Sequence, residues 1–239
     1  MDSDQPDEIR VTAPELRLAE LERLFLPTLR RQGFLARTFR LQRAPVPDWL
    51  LNRHLEGSLH IKDLLLDDVS LGSVQSRVVW NGIHLQFPNV QTRLNDTLAS
   101  GKLTVSLANA APQYRFTGRV NGLDYRDGKL DLEGIFETAG SGTALLRNAR
   151  SEGTFSASGI DVAPDIQADE MSGAFQLDPG AVMPRLSLTR LQVTQGENVL
   201  HGQGSSLPDG RIVLDLMSGR RPVRLTGMLL PVRSAPPVP

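Results

Sequence analysis

The sequence predicts a mainly β protein: an antiparallel sheet of successive hairpins, preceded by one amphipathic helix. Three observations carry that expectation. From Gly57 onward apolar residues alternate with polar ones at a period of two, the signature of half-buried strands. Asn81-Gly82 and Asp127-Gly128 stand beside such runs, where tight turns are expected. No strand–helix–strand alternation is present, so a parallel nucleotide-binding sheet is not expected.

The opening MDSDQPDEIR is acidic and polar. Residues 1–12 are therefore expected to form a disordered tail, and they do not have the form of a signal peptide. There is no run of about 18 apolar residues to span a bilayer. The chain is thus expected to be cytosolic or an excised piece of something larger. Thr12-Ala13-Pro14-Glu15 has the form of a capping box, and residues 13–46 are expected to hold a helix and its connection. Leu18, Leu21, Phe25 and Leu29 make one apolar stripe for packing on the sheet, a membrane or a partner. Pro27 should kink this helix and Gly33 should close it. After the Pro45-Val46-Pro47 break, Asp48 can cap a short helix whose Trp49 reads as a core anchor.

Residues 47–230 are expected to form the sheet domain. An Asn-Gly pair favours a type I′ turn, because both central positions need positive φ. If Trp80 sits opposite Ile83, then Val78 faces Leu85 and Ser76 faces Phe87 on the apolar side. Val79, His84, Arg77 and Gln86 then occupy the other side. Leu59 and Ile61, then Leu103, Val105 and Leu107, then Tyr114, Phe116 and Val120, then Leu130, Leu132 and Phe136 continue the alternation. Shorter stretches at Phe155, Phe175, Leu186, Ile212 and Val223 bring the expectation to about a dozen strands. A glycine two residues ahead of an apolar one opens many of them, at Gly57, Gly101, Gly118, Gly128, Gly153, Gly173, Gly210 and Gly227, where it can supply a turn or bulge. Residues 231–239 read as a Pro-rich tail.

Charge and composition exclude several function classes. The 26 basic residues are matched by 27 acidic ones, a net charge of −1, which makes no case for nucleic acid. Aromatics are only 5% of the chain, too sparse for a stacking platform. His54, His60, His84 and His201 lack metal-ligand spacing and have no cysteine to join. Asp67-Asp68 and Asp169-Glu170 read as solvated loops. The Gly-Ser stretches at Gly140-Ser141-Gly142 and Gly202-Gln203-Gly204-Ser205-Ser206 lack a following Lys-Ser/Thr or helix for a phosphate loop. No enzyme and no cofactor is expected.

What remains is a two-faced sheet. A dozen large apolar side chains left in water would forgo roughly 20 to 35 kcal/mol, more than the net stability of a domain. Cover can come from a second sheet, the N-terminal helix, a partner chain, or apolar ligands lying on the sheet. One helix stripe is too small for the task.

The runs PDWLLNRHLEGSLHIKDLLLDDVSLGSVQSRVVWNGIHLQF (47–87) and SGKLTVSLANAAPQYRFTGRVNGLDYRDGKLDLEGIFETAGSG (100–142) resemble the AsmA-like family of bacterial envelope proteins. SEGTFSASGIDVAP, LPDGRIVLDL and VRLTGML are similar to that family's C-terminal portions. The resemblance implies a long antiparallel sheet curled into a half-tube with an apolar inner face. It also implies a periplasmic location on an inner-membrane anchor that this chain lacks, as a C-terminal fragment would. The implied role is non-enzymatic phospholipid transfer in outer-membrane homeostasis or biogenesis, with phospholipid or another acyl-chain lipid as partner and an envelope protein as a possible one. The groove residues expected on that reading are Val78, Trp80, Ile83, Leu85, Phe87, Leu103, Val105, Leu107, Tyr114, Phe116, Leu130, Leu132 and Phe136. The alternatives are that the same residues are the plain core of a closed sandwich, or that the chain is a structural scaffold whose edges pair with neighbours.

Overall fold

The computed structural model describes residues 7–17, 20, 46, 48–66, 69–70, 72–94, 97–109, 111–125, 127–141, 143–163, 166–179 and 185–228. The protein is mainly β, with a large, mostly antiparallel 13-stranded sheet and a separate 3-stranded one. The chain divides into two compact units, Met1–Arg119 with Ile135–Ala149, and Val120–Gly134 with Arg150–Pro239.

The first unit begins with β1 (Asp7–Ala13) and β2 (Leu16–Arg17). Helix α1 (Asp48–Leu51) follows, then β3 (His54–Ile61), β4 (Leu64–Leu66), β5 (Val69–Ser70), β6 (Val74–Asn81), β7 (His84–Leu94) and β8 (Thr97–Ser106). It also takes the first part of β9 (Gln113–Tyr125), the last part of β10 (Gly128–Ala139), and helix α2 (Thr143–Arg147). Strands β3, β6, β7 and β8 pair antiparallel in turn, while β1 lies parallel to β3. Strands β2, β4 and β5 make the small sheet.

Strand β1 corrects the expected tail and capping box. Ile9 and Val11 are β-branched and alternate with charged residues, so Asp7–Ala13 completes a ladder on β3. Thr12 is thereby in a strand. The Ala13 carbonyl accepts from Lys62 N–H at 3.0 Å, and Leu16 N–H donates to the Asp63 carbonyl at 3.0 Å. These bonds carry the backbone past Pro14 as extended chain. Glu20 is helical, and the rest of the expected helix stripe, Leu18 to Leu29, lies outside the described residues.

The hairpin turn is also corrected. Asn81 pairs with His84 and Trp80 with Leu85, so the turn is centred on Gly82-Ile83 and not on Asn81-Gly82. Of the two central residues only Gly82 has a positive φ, 56°, as a turn with glycine in its first central position requires. Gly82 N–H donates to the Arg53 carbonyl at 2.8 Å, and the Trp80 indole donates to the Gly82 carbonyl at 2.7 Å. Near the turn the register therefore moves by two residues, which leaves Trp80 and Leu85 on one face and Val79 and Gln86 on the other, before an irregularity between Gln75 and Val79.

The second unit contains β11 (Arg150–Ala163), β12 (Ile166–Asp178), β13 (Arg185–Gln195), β14 (Asn198–Ser206), β15 (Arg211–Ser218) and β16 (Arg221–Met228), each antiparallel to the next. Strands β11 and β16 also approach each other. Leu188, Leu191, Val193, Leu214 and Leu216 from the strands between are buried in one core, against which Phe155, Phe175 and Val223 pack. Asp169-Glu170, expected as a loop, lies in strand β12, and the Gly-Ser stretch 202–206 lies in β14. Ladders that pair Glu170 with Thr194 and residues 202–206 with β15 supply their backbone partners, which outweighs weak β-propensity. Gly140-Ser141-Gly142 is followed by α2, contrary to expectation, but that helix is a single short turn.

Candidate functional site

The chemistry-bearing groups do not converge. Among the described residues, no cluster of three or more His, Asp or Glu could hold a metal ion. The ion pairs Glu56–Arg77, Arg115–Glu137, Asp124–Lys129 and Asp215–Arg224 lie on exposed strand faces, where each contributes little. Asp209, in the β14–β15 turn, is held below the ordinary aspartate range. The backbone N–H of Arg211 is the main cause, and the guanidinium of the same residue adds to it. A shallow depression of about 650 Å³ on the polar side of β1, β3, β6 and β7 is lined by Glu8, Glu56, Ser58, His60, Gln75 and Arg77, among others.

The feature with the most structure is the apolar face of the first unit. Leu85 stands opposite Trp80 on one side and Val105 on the other, and Phe87 stands opposite Leu103. These residues, with Ile83, Leu107 and Tyr114, form one cluster centred on Leu50. Leu50 is 0% exposed and Leu85 3%. Helix α1 lowers Leu50 onto the strands, and backbone bonds close the helix, tie Arg53 just after it to the hairpin turn, and join that turn to the end of β8. Asn52 N–H donates to the Asp48 carbonyl at 3.0 Å, Gly82 N–H reaches the Arg53 carbonyl, and Leu107 N–H donates to the Ile83 carbonyl at 2.8 Å.

Beyond that cover the same face continues less buried. The Thr104 hydroxyl donates to the Arg115 carbonyl at 3.3 Å across β8 and β9. Alternation then sets Phe116 on the side of Tyr114. The Arg115–Glu137 ion pair bridges β9 and β10 on the polar side, so Phe116 and Phe136 share the apolar one. Phe116 is half-buried, and its ring lies over Gly101 and Gly118. An added Cβ on Gly118 would sit 2.5 Å from the Ser100 carbonyl oxygen and 2.6 Å from the Phe116 ring. The two strands are pinched at this glycine pair, and only hydrogen fits between them. Phe136 is 38% exposed.

The structure thus gathers Trp80, Ile83, Leu85, Phe87, Leu103, Val105, Leu107 and Tyr114, with Phe116 and Phe136 further along the face. Val78, opposite Gly57, is half-buried and lies outside the cluster. Leu130 and Leu132 belong to the second unit, where Leu130 packs on the core of that unit. Trp49 is not a core anchor: it is 47% exposed, with the Arg53 guanidinium 6.0 Å from its ring centroid. Its neighbour Leu50 fills that role. A one-turn helix carries no periodicity by which the sequence could have separated the two.

No family model, curated protein or solved structure matches the chain. No helix among the described residues is long and apolar enough to cross a membrane.

Proposed function

We propose that this chain is a non-enzymatic lipid-handling β domain in which the apolar face of the first unit shelters acyl chains. The observation that carries the reading is Phe136, a large aromatic left 38% exposed on the side whose other end is closed by Leu50. A face that only formed a core would have no reason to run on past its cover. The ranks from Phe87 and Leu103 through Phe116 to Phe136 form the floor of the groove, and head groups stay at its rim. Leu85, Val105 and Leu107, buried beneath α1, act as its foundation. The bacterial envelope location and the role in outer-membrane lipid homeostasis or biogenesis belong to this proposal through the resemblance described above.

The alternative, assembly through sheet edges, is less favoured. Edge strand β1 carries Asp7, Glu8 and Arg10, and edge strand β16 carries Arg221, Pro222 and Arg224, residues of the kinds that discourage edge pairing. Protein purified without detergent, extracted and analysed by mass spectrometry, is expected to release phospholipid or fatty acid. It is also expected to take up a fluorescent fatty acid, with uptake lost in Phe136→Glu. An empty extract together with no uptake overturns the reading.

A further inference from the structure

The geometry points to a membrane-docking tip formed by Trp49, Leu51 and Arg53, which seats this protein on the phosphate and upper acyl layer of a phospholipid bilayer. The inference rests on the lipid-handling reading and names where that lipid would be met. Helix α1 buries Leu50 completely, and so turns the side chains on either side of it outward. Trp49 and Leu51 are each 47% exposed. Two large apolar groups two residues apart at the surface form a patch that lies outside the core clusters of the described residues.

Between them and the hairpin lies Arg53, whose guanidinium is 6.0 Å from the Trp49 centroid and 5.6 Å from that of Trp80. Among the described residues, no carboxylate pairs with Arg53, whereas Arg77, Arg115, Arg211 and Arg224 each have one. A guanidinium held against two indole faces keeps its N–H edge free, and that edge matches phosphate bidentately. The occupant that fits is therefore one presenting phosphate beside hydrocarbon. A bilayer interface does so at the depth where tryptophan is favoured and where an arginine can reach the head groups. The tip adjoins the groove, because Trp80 touches Arg53 on one side and packs on the Leu85 cluster on the other.

The experiment uses the full chain and vesicles of phosphatidylcholine with about one-third phosphatidylglycerol. The chain has two tryptophans, so Trp80→Phe makes Trp49 the sole reporter. Flotation with vesicles is expected, with a blue shift of Trp49 emission and its protection from acrylamide. Trp49→Ala and Leu51→Ser are each expected to weaken partitioning roughly tenfold, and Arg53→Gln to remove its dependence on anionic lipid. Both apolar positions are exposed, so far-UV circular dichroism should be unchanged. Absence of flotation, or flotation without a change at Trp49, overturns the inference. So does an equal emission shift produced by inorganic phosphate without vesicles. Fatty-acid uptake measured without vesicles separates the two claims. Uptake without flotation refutes the docking tip alone, and flotation at Trp49 without uptake refutes the groove alone.

Discussion

Replacing Leu85 by alanine measures whether the apolar face near the hairpin is closed. Leu85 is 3% exposed and packs among Leu50, Val105 and Leu107, all at 2% or less. The substitution removes three buried carbons, about 2.4 kcal/mol of transfer free energy at ~0.8 kcal/mol each. The cavity left under α1 adds about 1 kcal/mol more, since the cluster is held from both sides and collapses only in part. The total is about 3.5 kcal/mol. With a urea slope of about 3 kcal/mol/M, the midpoint falls by a little over ~1 M at unchanged slope. In a Trp49→Phe background, Trp80 fluorescence reports the transition from a ring packed against the cluster. Phe136→Ala, by contrast, removes a ring already in contact with water and should cost about 1.5 kcal/mol or less. Leu85→Glu would bury a carboxylate with no partner, at several kcal/mol beyond the alanine variant, and should unfold the first unit. If Leu85→Ala costs under about 1 kcal/mol, or no more than Phe136→Ala, the division of this face into a closed end and an open end is wrong.

Other outcomes follow from the same structure. Gly118→Ala drives a Cβ to 2.5 Å from the Ser100 carbonyl and must spread β8 from β9; it is expected to cost about 2 to 3 kcal/mol, read as a fall of roughly 5 to 10 °C in thermal midpoint. An unchanged midpoint would show that the strands are not pinched there. Arg77→Gln breaks an exposed pair with Glu56 and should change stability by no more than about 0.5 kcal/mol in a urea titration. The Asp209 carboxylate should titrate below ordinary aspartate in a carbon-detected NMR experiment. Because its folded pKa is the lower one, its small contribution to stability is present above the unfolded pKa and is lost as pH falls through the folded one. Arg211→Ala removes only the guanidinium and should raise that pKa in part, since the backbone donor remains.

Much of the sheet was legible because strand alternation is a local property. The spacing of Leu103, Val105 and Leu107 predicts one face, and the structure sets Leu103 opposite Phe87 and Val105 opposite Leu85, with Leu107 in the same cluster. Faces were also robust to the misread turn. Asn81-Gly82 has the composition of a type I′ turn, but the Arg53 carbonyl claims the Gly82 amide, a tertiary contact no local pattern contains. Strand β1 was missed for a similar reason: DEIRVTA is too charged to read as a strand, and it becomes one only through its parallel ladder to β3. Strand β14 hid behind its glycines, of which Gly202 lies 2.0 Å, at the position of an added Cβ, from the Asp215 carbonyl oxygen. The residue type that makes a segment look like a loop is there the one that lets two strands pack.

The cover of the apolar face, which could be posed from composition but not answered, has different solutions in the two units. In the second, six consecutive hairpin-linked strands supply side chains such as Leu191 and Leu216 to a shared core, so the sheet is its own cover. In the first, among the described residues, one turn of helix inserts a single leucine into the cluster near the hairpin. A cap of that size cannot reach the ranks that lead to Phe136. Because Phe136 is already partly exposed, substituting it by serine is expected to cost little stability whether or not a ligand covers it. On the proposed reading an apolar ligand is what occupies the side chains that lead to Phe136, which is 38% exposed. A Phe136→Ser variant that keeps its stability but loses fluorescent fatty-acid uptake would bear this out, and one that keeps both would leave the ring without a role in lipid handling.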